Sequence, residues 1–301
     1  MNILFITLSN IGDAIMTTPT LERVHQIYPD AVIDLVCDPR SQVLFTHCPY
    51  RGEIILKEKK QGKKGLWQLI KKLRKKRYDL IVDLRTDGLS YLLRAKRRLT
   101  KWGHKPYGPH AVEDLISIID RINPDRKIPS TKIWLTDELD SQAKKLTASL
   151  PEGKWLAIGP GANWEPKTWA VENFSLVANA LADETNAVIL LGGTGDIEKS
   201  KHLKTALQGP YLDLTGTTDL LTTAAVLKLC ELFIGNDSGL GHLAAAVNTP
   251  TVSVFGPGRP ERYHPWHSLN RVEIGANQSL DKLSAEHVSR TARQLLKHDR
   301  I

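Results

Sequence analysis

Short apolar runs alternate with helical patterns along the whole chain, and this alternation most limits the folds open to it. In the first half the runs are ILFITL, AVIDLVCD, EIILKE and DLIVDLR, with TPTLERVHQIY, LWQLIKKLRKKR and HAVEDLISIIDRI between and after them. The second half restarts with KWLAIGPG and continues through AVILLGG, LDLTG, LFIGND and TVSVFG. Its helical stretches are VENFSLVANALADE, DIEKSKHLKTALQ, LLTTAAVLKL and SGLGHLAAAV. Strands joined by crossover helices predict βαβ units, hence an α/β chain of parallel sheets covered on both faces. A Pro and a Gly follow the helical stretch TDELDSQAKKLTASL, at LTASLPEGKW, before a new strand opens. That break predicts two Rossmann-like domains, 1–150 and 151–301, of ordinary domain size. The last helical stretch, SAEHVSRTARQLLKH, fits either domain by pattern.

In such sheets ligands sit beyond the carboxyl ends of the strands, so the loops after the strands are the place to search. The first is NIGDAIMTTP, residues 10–19, with a lone carboxylate, Asp13. Taken alone, Asp13 reads as a helix N-cap with Gly12 as the turn. Its position directly after the first strand also suits a base that accepts a proton from a hydroxyl nucleophile. The second loop, GPGANWEPKTW (159–169), has Gly159 and Gly161 for close backbone approach and Lys167 as a cation before a helix. It is not a dinucleotide fingerprint, because Trp164 stands where the third glycine belongs. Two more glycine-rich loops follow, GGTGDIE (192–198) and GNDSGLGHLAAA (235–246). In the latter, a strand ends and turns into a small-residue helix. Free N–H groups from Asp237 to Leu240, with the positive end of the helix dipole, predict an anion site suited to phosphate. Gly239 and Gly241 keep that surface bare, and His242 lies one turn along, on a face with Ser238. A Ser-His-Asp hydrolase is disfavoured because Ser238 lacks the nucleophile elbow. The loop FGPGRPERYHPWH (255–267) is expected to line the cleft, and its His264 and His267 lack a further ligand for a metal site.

Charge is uneven. The net charge is +8, yet residues 1–150 hold 27 Lys/Arg against 17 Asp/Glu and residues 151–301 hold 14 against 16. The excess peaks in KEKKQGKKGLWQLIKKLRKKR (57–77), with 11 basic residues and one acid. Such a run attracts a polyanion, or it is a solvated helix face. Trp67, Leu69, Ile70 and Leu73 recur within it at helical spacing, which makes a basic amphipathic helix suited to a bilayer surface through Lys71, Lys72, Lys75 and Lys76. No run of about 18 apolar residues spans a membrane. Three scattered cysteines and no leader-like N-terminus predict a cytoplasmic protein.

Together these residues resemble the bacterial heptosyltransferase family, glycosyltransferase family 9, lipopolysaccharide-core enzymes that use ADP-heptose. The resemblance rests on IGDAIMTTP, GPGANWEPKTWAVENF, LLGG and GNDSGLGHLAAAVNTPTVSVFGP, and covers nearly the whole chain. It implies a GT-B fold, two facing Rossmann-like domains with the acceptor in the N-terminal one and the sugar nucleotide in the C-terminal one. It also implies an inverting transfer without metal or other cofactor, consistent with the absence of any D-x-D in the sequence. By that resemblance Asp13 is the general base and Lys167 neutralises the departing diphosphate. Asp237, Ser238, Gly239, Leu240 and His242 match the diphosphate-sugar loop, and Gly161, Asn163 and Gly193 belong to the same nucleotide-sugar site. Ala162 and Asn163 stand where the family often has small hydroxyl residues. The acid that holds the ribose is Asp196 or Glu198, with Asp196 preferred. The implied partners are a nucleotide sugar, a phosphorylated glycolipid acceptor and the inner membrane leaflet, with peripheral attachment. Two other readings stay open: a nucleotide-sugar epimerase or hydrolase of similar fold, which needs no acceptor, and a non-enzymatic polyanion binder. Nucleic acid fits poorly, since the basic run holds only Trp67, with Tyr78 at its end, for base stacking.

Overall fold

The computed structural model describes residues 1–58 and 62–297; Lys59, Lys60 and Gln61 of the basic run, and His298 at the end of the last helical stretch, lie outside them. The chain divides into two compact units, Met1–Trp134 and Leu135–Ile301.

The first unit is built on a parallel sheet of β1 (Asn2–Ile6), β2 (Val32–Cys37), β3 (Arg51–Leu56), β4 (Tyr78–Asp83) and β5 (Ala95–Thr100), in the order β3-β2-β1-β4-β5. Its helices are α1 (Ile11–Ile15), α2 (Thr18–Ile27), α3 (Gly62–Leu73) and α4 (Ala111–Ile116). The apolar β1 takes the centre. Leu4 and Ile6 join Val36 and Ile81 in a core closed by Leu69, Ile70 and Leu73 of α3. The alternation of a strand then sends Ile3 and Phe5 to the opposite face, where they are also buried. Each such side chain contributes about 1.5–3 kcal/mol on burial. β5, sequence AKRRLT, was not among the expected strands. It is an edge strand, paired on one side only, where charged residues are tolerated and mask the pattern.

The second unit carries six parallel strands, β6 (Trp155–Gly159), β7 (Ala187–Leu190), β8 (Tyr211–Asp213), β9 (Leu232–Asn236), β10 (Thr251–Phe255) and β11 (Asn270–Ile274), in the order β11-β10-β9-β6-β7-β8. The edge strand β11, NRVEI, is a second one without an apolar run. The helices are α5 (Asp137–Thr147), α6 (Val171–Ala180), α7 (Ile197–Thr205), α8 (Leu220–Leu229), α9 (Gly239–Ala246), α10 (Pro260–Tyr263) and α11 (Ala285–Leu296). Val288, Ala292 and Leu295 of α11 enter a core with Phe174 and Val177 of α6, so the last helix belongs to the second unit. The division between units also falls earlier than the expected 150/151. Helix α5 packs on α8, with Lys228 Nζ 2.7 Å from Asp140 Oδ2, which carries residues 135–150 into the second unit. Both sheets reverse their winding between central strands, at β1/β4 and at β9/β6, and such switch points open ligand crevices at the carboxyl ends. Among the described residues no helix is long and apolar enough to cross a membrane.

Asp34 locks the first sheet to the end of the basic helix. It is buried on β2; its Oδ1 accepts the Glu53 N–H at 2.9 Å, and its Oδ2 accepts Lys76 Nζ at 2.8 Å and the Tyr78 hydroxyl at 3.3 Å. That hydrogen bond raises the pKa of the Lys76 ammonium above its usual value. Asp34→Ala strips these donors of a charged acceptor, and hydrogen bonds to charged groups contribute about 1.5–3 kcal/mol each. It should cost about 3 kcal/mol, read as a lower urea midpoint of the first unit, with Lys76→Gln costing less because its ammonium regains water.

Candidate functional site

The carboxyl end of the second sheet is organised by an amide. Asn236 ends β9 and is fully buried. Its Oδ1 accepts the Trp169 N–H at 2.9 Å and its Nδ2 donates to the Pro160 carbonyl at 2.8 Å. Trp169, also buried, donates its indole N–H to the Leu283 carbonyl at 3.1 Å. The loop 160–169 is thus tied at both ends, and its short 3-10 turn, Glu165–Lys167, presents Lys167. Lys167 Nζ lies 2.5 Å from Asp237 Oδ2, with the two side chains 29% and 12% exposed. Two glycine-rich loops predicted separately are therefore joined by one ion pair.

Helix α9 starts beside that pair, with Ser238 as its N-cap residue. The first-turn N–H groups of Gly239, Leu240 and Gly241 have no acceptor within the helix, and the dipole adds positive potential there. Ser238 Oγ is buried without a hydrogen-bond partner among the described residues. Asp237 does not contribute a free amide as expected, because its N–H donates to the Val254 carbonyl at 3.0 Å and extends the sheet. The glycines also differ from expectation. A Cβ on Gly159 would meet Phe233 and Leu240 at 2.9–3.1 Å, one on Gly241 would meet Pro265 at 3.2 Å, and one on Gly161 would fall 2.0 Å from Asp196 Oδ1. These three serve packing within the protein rather than bare approach to a ligand. Asp196 Oδ2 accepts the Gly193 N–H at 2.9 Å, so this acid closes its own loop and faces the loop of Lys167. Glu198 is exposed and pairs with Lys201 at 2.7 Å, away from that contact. Asn163 is exposed and His242 is buried in α9. Gly258, in the loop after β10, has its Cβ position 3.5 Å from Asp237 Oδ2, which places that Pro/Gly loop at the same site. His264 and His267 bond locally, to the Pro260 carbonyl and from the Leu269 N–H, and burial lowers the pKa of His267.

In the first unit, Asn10 rather than Asp13 is the N-cap residue of α1. Asp13 sits within the first turn, half-buried, where Asn10 Nδ2 donates to its Oδ2 at 2.9 Å. The carboxylate is thereby oriented in the loop that follows β1. Next to it, after β4, Arg85 donates through Nη2 to Ser9 Oγ at 2.7 Å. Arg85 Nε and Nη1 are buried without hydrogen-bond partners among the described residues, and the Asp87 carboxylate stands 4.0 Å from Nε. Asp38, beyond β2, has its pKa lowered by the Arg40 guanidinium. Asn236 lies within the loop GNDSGLGHLAAA, where the pattern assigns it no role, and Arg85 stands in no recognisable spacing. The four lysines of the basic run differ from one another, and Lys75 and Lys76 lie beyond the end of α3 rather than on the expected helix. Lys76 is bound to Asp34, and Lys72 lies 2.6 Å from Glu53 Oε1. Lys71 and Lys75 are exposed and have no carboxylate partner among the described residues; with Trp67, Arg74 and Arg94 they line an open groove of about 540 Å³.

Residues 88–291 match the family described as Glycosyltransferase family 9 (heptosyltransferase). The chain belongs to glycosyltransferase family 9. This family 9 glycosyltransferase is 28% identical over 304 residues to lipopolysaccharide heptosyltransferase 3 of Escherichia coli K12, covering 92% of this chain and 88% of that protein. Its fold matches the solved structure of E. coli ADP-heptose lps heptosyltransferase II with a TM-score of 0.83 at 25% identity, covering 98% of each chain. A glycosyl transferase family 9 structure from Veillonella parvula DSM 2008 matches at a TM-score of 0.86 and 23% identity, covering 98% of this chain and 97% of that one. The fold is the expected GT-B class, and family membership sets aside a non-enzymatic polyanion binder.

The Asn236 amide yields the prediction for this site. Asn236→Ala leaves the buried Trp169 N–H and Pro160 carbonyl unsatisfied, at about 1–3 kcal/mol each. The variant should lose stability and show faster amide exchange in residues 160–169, measured by hydrogen exchange with mass spectrometry, while exchange in the first sheet stays unchanged.

Proposed function

We propose that this glycosyltransferase moves a heptose from a nucleotide sugar, ADP-heptose, to a lipopolysaccharide-core acceptor, with inversion at the anomeric carbon and without a metal ion. The observation that carries the reading is the pairing of Lys167 with Asp237 beside the first turn of α9, at the carboxyl ends of β6 and β9. An ammonium and a row of backbone N–H groups suit a diphosphate. The names of the relatives supply the sugar and the nucleotide.

In this mechanism the acceptor hydroxyl gives its proton to Asp13 as its oxygen attacks the anomeric carbon from the face opposite the nucleotide. The bond from that carbon to the diphosphate oxygen breaks, and the electron pair leaves with ADP. Negative charge grows on the departing phosphate, where Lys167 and the N–H groups of Gly239 and Leu240 stabilise it. Asp237 holds the ammonium in place before the donor arrives. Asp196 reaches the ribose hydroxyls, with Asn163, Gly193, Ser238 and His242 around the nucleotide sugar. The first unit takes the phosphorylated glycolipid, and the enzyme works in the cytoplasm at the inner membrane leaflet. The sequence holds no D-x-D, the paired carboxylates by which a metal–pyrophosphate clamp would be held.

The test is a transfer assay with ADP-heptose and a heptose-deficient core acceptor, read by mass spectrometry as addition of one heptose and run in EDTA. Asp13→Asn should abolish transfer and leave donor affinity within about threefold, whereas Lys167→Ala should weaken ADP binding and lower kcat together, each by about tenfold or more. Donor turnover at equal speed without any acceptor would overturn the reading.

The basic helix gives a separate expectation. Lys71→Gln with Lys75→Gln removes two cations worth about 1 kcal/mol each near an anionic leaflet, so vesicle partitioning should fall roughly thirtyfold at low salt. Calorimetry should find donor binding unchanged, and sedimentation with anionic vesicles equal to that of wild type would return these lysines to a solvated helix face.

A further inference from the structure

Two aromatic side chains stand exposed at the carboxyl end of the first sheet. Tyr91 follows β4 and Trp102 follows β5; they are 47% and 67% exposed. Their rings stack on each other, with centroids 5.3 Å apart and planes 30° from parallel. An isolated exposed aromatic needs no explanation. This pair is held in place. The Tyr91 hydroxyl lies 3.3 Å from Thr100 Oγ1, which also accepts the Trp102 N–H at 3.3 Å. Arg121 Nη2 donates to the Trp102 carbonyl. The chain then turns at Gly103 with φ +72°, a conformation that favours glycine, and a Cβ there would come within 2.9 Å of Arg121 Nη2. Tyr91 covers one face of the indole, and the exposure of Trp102 leaves the other face to solvent.

The location says what that face meets. Ile6 of β1 pairs with Asp83 of β4, and Asp83 pairs with Thr100 of β5, in one row across the sheet. The end of β5 therefore lies about 10 Å from the end of β1, where the chain runs on to Asp13. Arg85 fills the position between them. We propose that the outer face of Trp102, backed by Tyr91, stacks a pyranose ring of the acceptor glycan about one or two sugar residues from the hydroxyl at Asp13. The apolar C–H face of a pyranose carries slight positive charge and packs on the negative face of an aromatic ring. Trp102 is a binding residue for the acceptor and takes no part in proton transfer. This inference rests on the proposed transfer reaction and assigns its acceptor subsite.

The experiment uses the full chain, ADP-heptose and a deacylated core oligosaccharide truncated to its first heptose. Trp102→Ala should raise the acceptor KM about tenfold or more, with kcat and donor KM within twofold, and Trp102→Phe should recover most of the loss. Tyr91→Leu should give an intermediate acceptor KM. An unchanged acceptor KM in Trp102→Ala, with wild type active, overturns the subsite and leaves the reaction standing. If wild type transfers nothing, the reaction itself fails, and calorimetry of the oligosaccharide against wild type and Trp102→Ala then decides the subsite alone. Equal affinity, or no binding to wild type, rejects it. A change of oligomeric state in Trp102→Ala with acceptor binding unaltered makes the surface a contact between copies and also rejects it.

Discussion

Asn236 uses both ends of its amide on the backbone of a neighbouring loop, and the loops at the carboxyl end of the second sheet depend on that clamp. Parallel strands leave their carboxyl ends as a row of loops without mutual pairing. A buried side chain that satisfies one carbonyl and one N–H on the adjoining loop turns two of these into a single rigid surface. Trp169 extends the surface by anchoring the same loop to the segment before α11. The cation at Lys167 then needs only one further contact, Asp237, to be placed beside the first turn of α9. An amide suits this task better than a carboxylate, because it donates and accepts without adding charge next to an anion site.

Neutrality of the Lys167–Asp237 pair has a consequence for binding. A lone ammonium would attract any anion, while a paired one presents a dipole that a diphosphate must share with Asp237. The backbone N–H groups of α9 are uncompensated and carry the initial attraction. In the proposed transfer, the ammonium would shift its hydrogen bonds toward the leaving phosphate as charge grows there, so that the interaction would strengthen during the reaction rather than in the ground state. Only such differential strengthening accelerates a chemical step.

The sequence shows the central strands plainly, because strands buried on both faces carry short continuous apolar runs, as ILFI of β1 and LFI of β9 do. It hides β5 and β11, since edge strands such as AKRRLT and NRVEI pair on one side only and carry charged residues that break the apolar run. Glycine-rich loops are legible as loops, but their reasons are not. Gly161 and Gly241 look like clearance for a ligand, and the structure uses them as clearance for Asp196 and Pro265. The cap of α1 is misread for a similar cause. Asn10 and Asp13 are both good first-turn residues, and only backbone angles show that Asn10 begins the helix. The boundary at 150 follows a Pro-Gly signal that marks a loop, whereas the true division depends on which helix α5 packs against, a non-local fact.

The basic run carries the same lesson into electrostatics. Eleven cations in one segment suggest a single role, yet they divide by where their counter-charges lie. Lys76 answers a buried carboxylate and belongs to the fold, since Asp34 would otherwise be an unpaired charge beneath the sheet. Lys72 shares a half-exposed glutamate, a contact that is worth little and is readily exchanged for water. Among the described residues Lys71 and Lys75 have no carboxylate partner, so their field extends into solvent until salt screens it, about 8–10 Å at ordinary ionic strength. The field of this surface is therefore described by which lysines remain unneutralised, and counting charges along the segment overstates it.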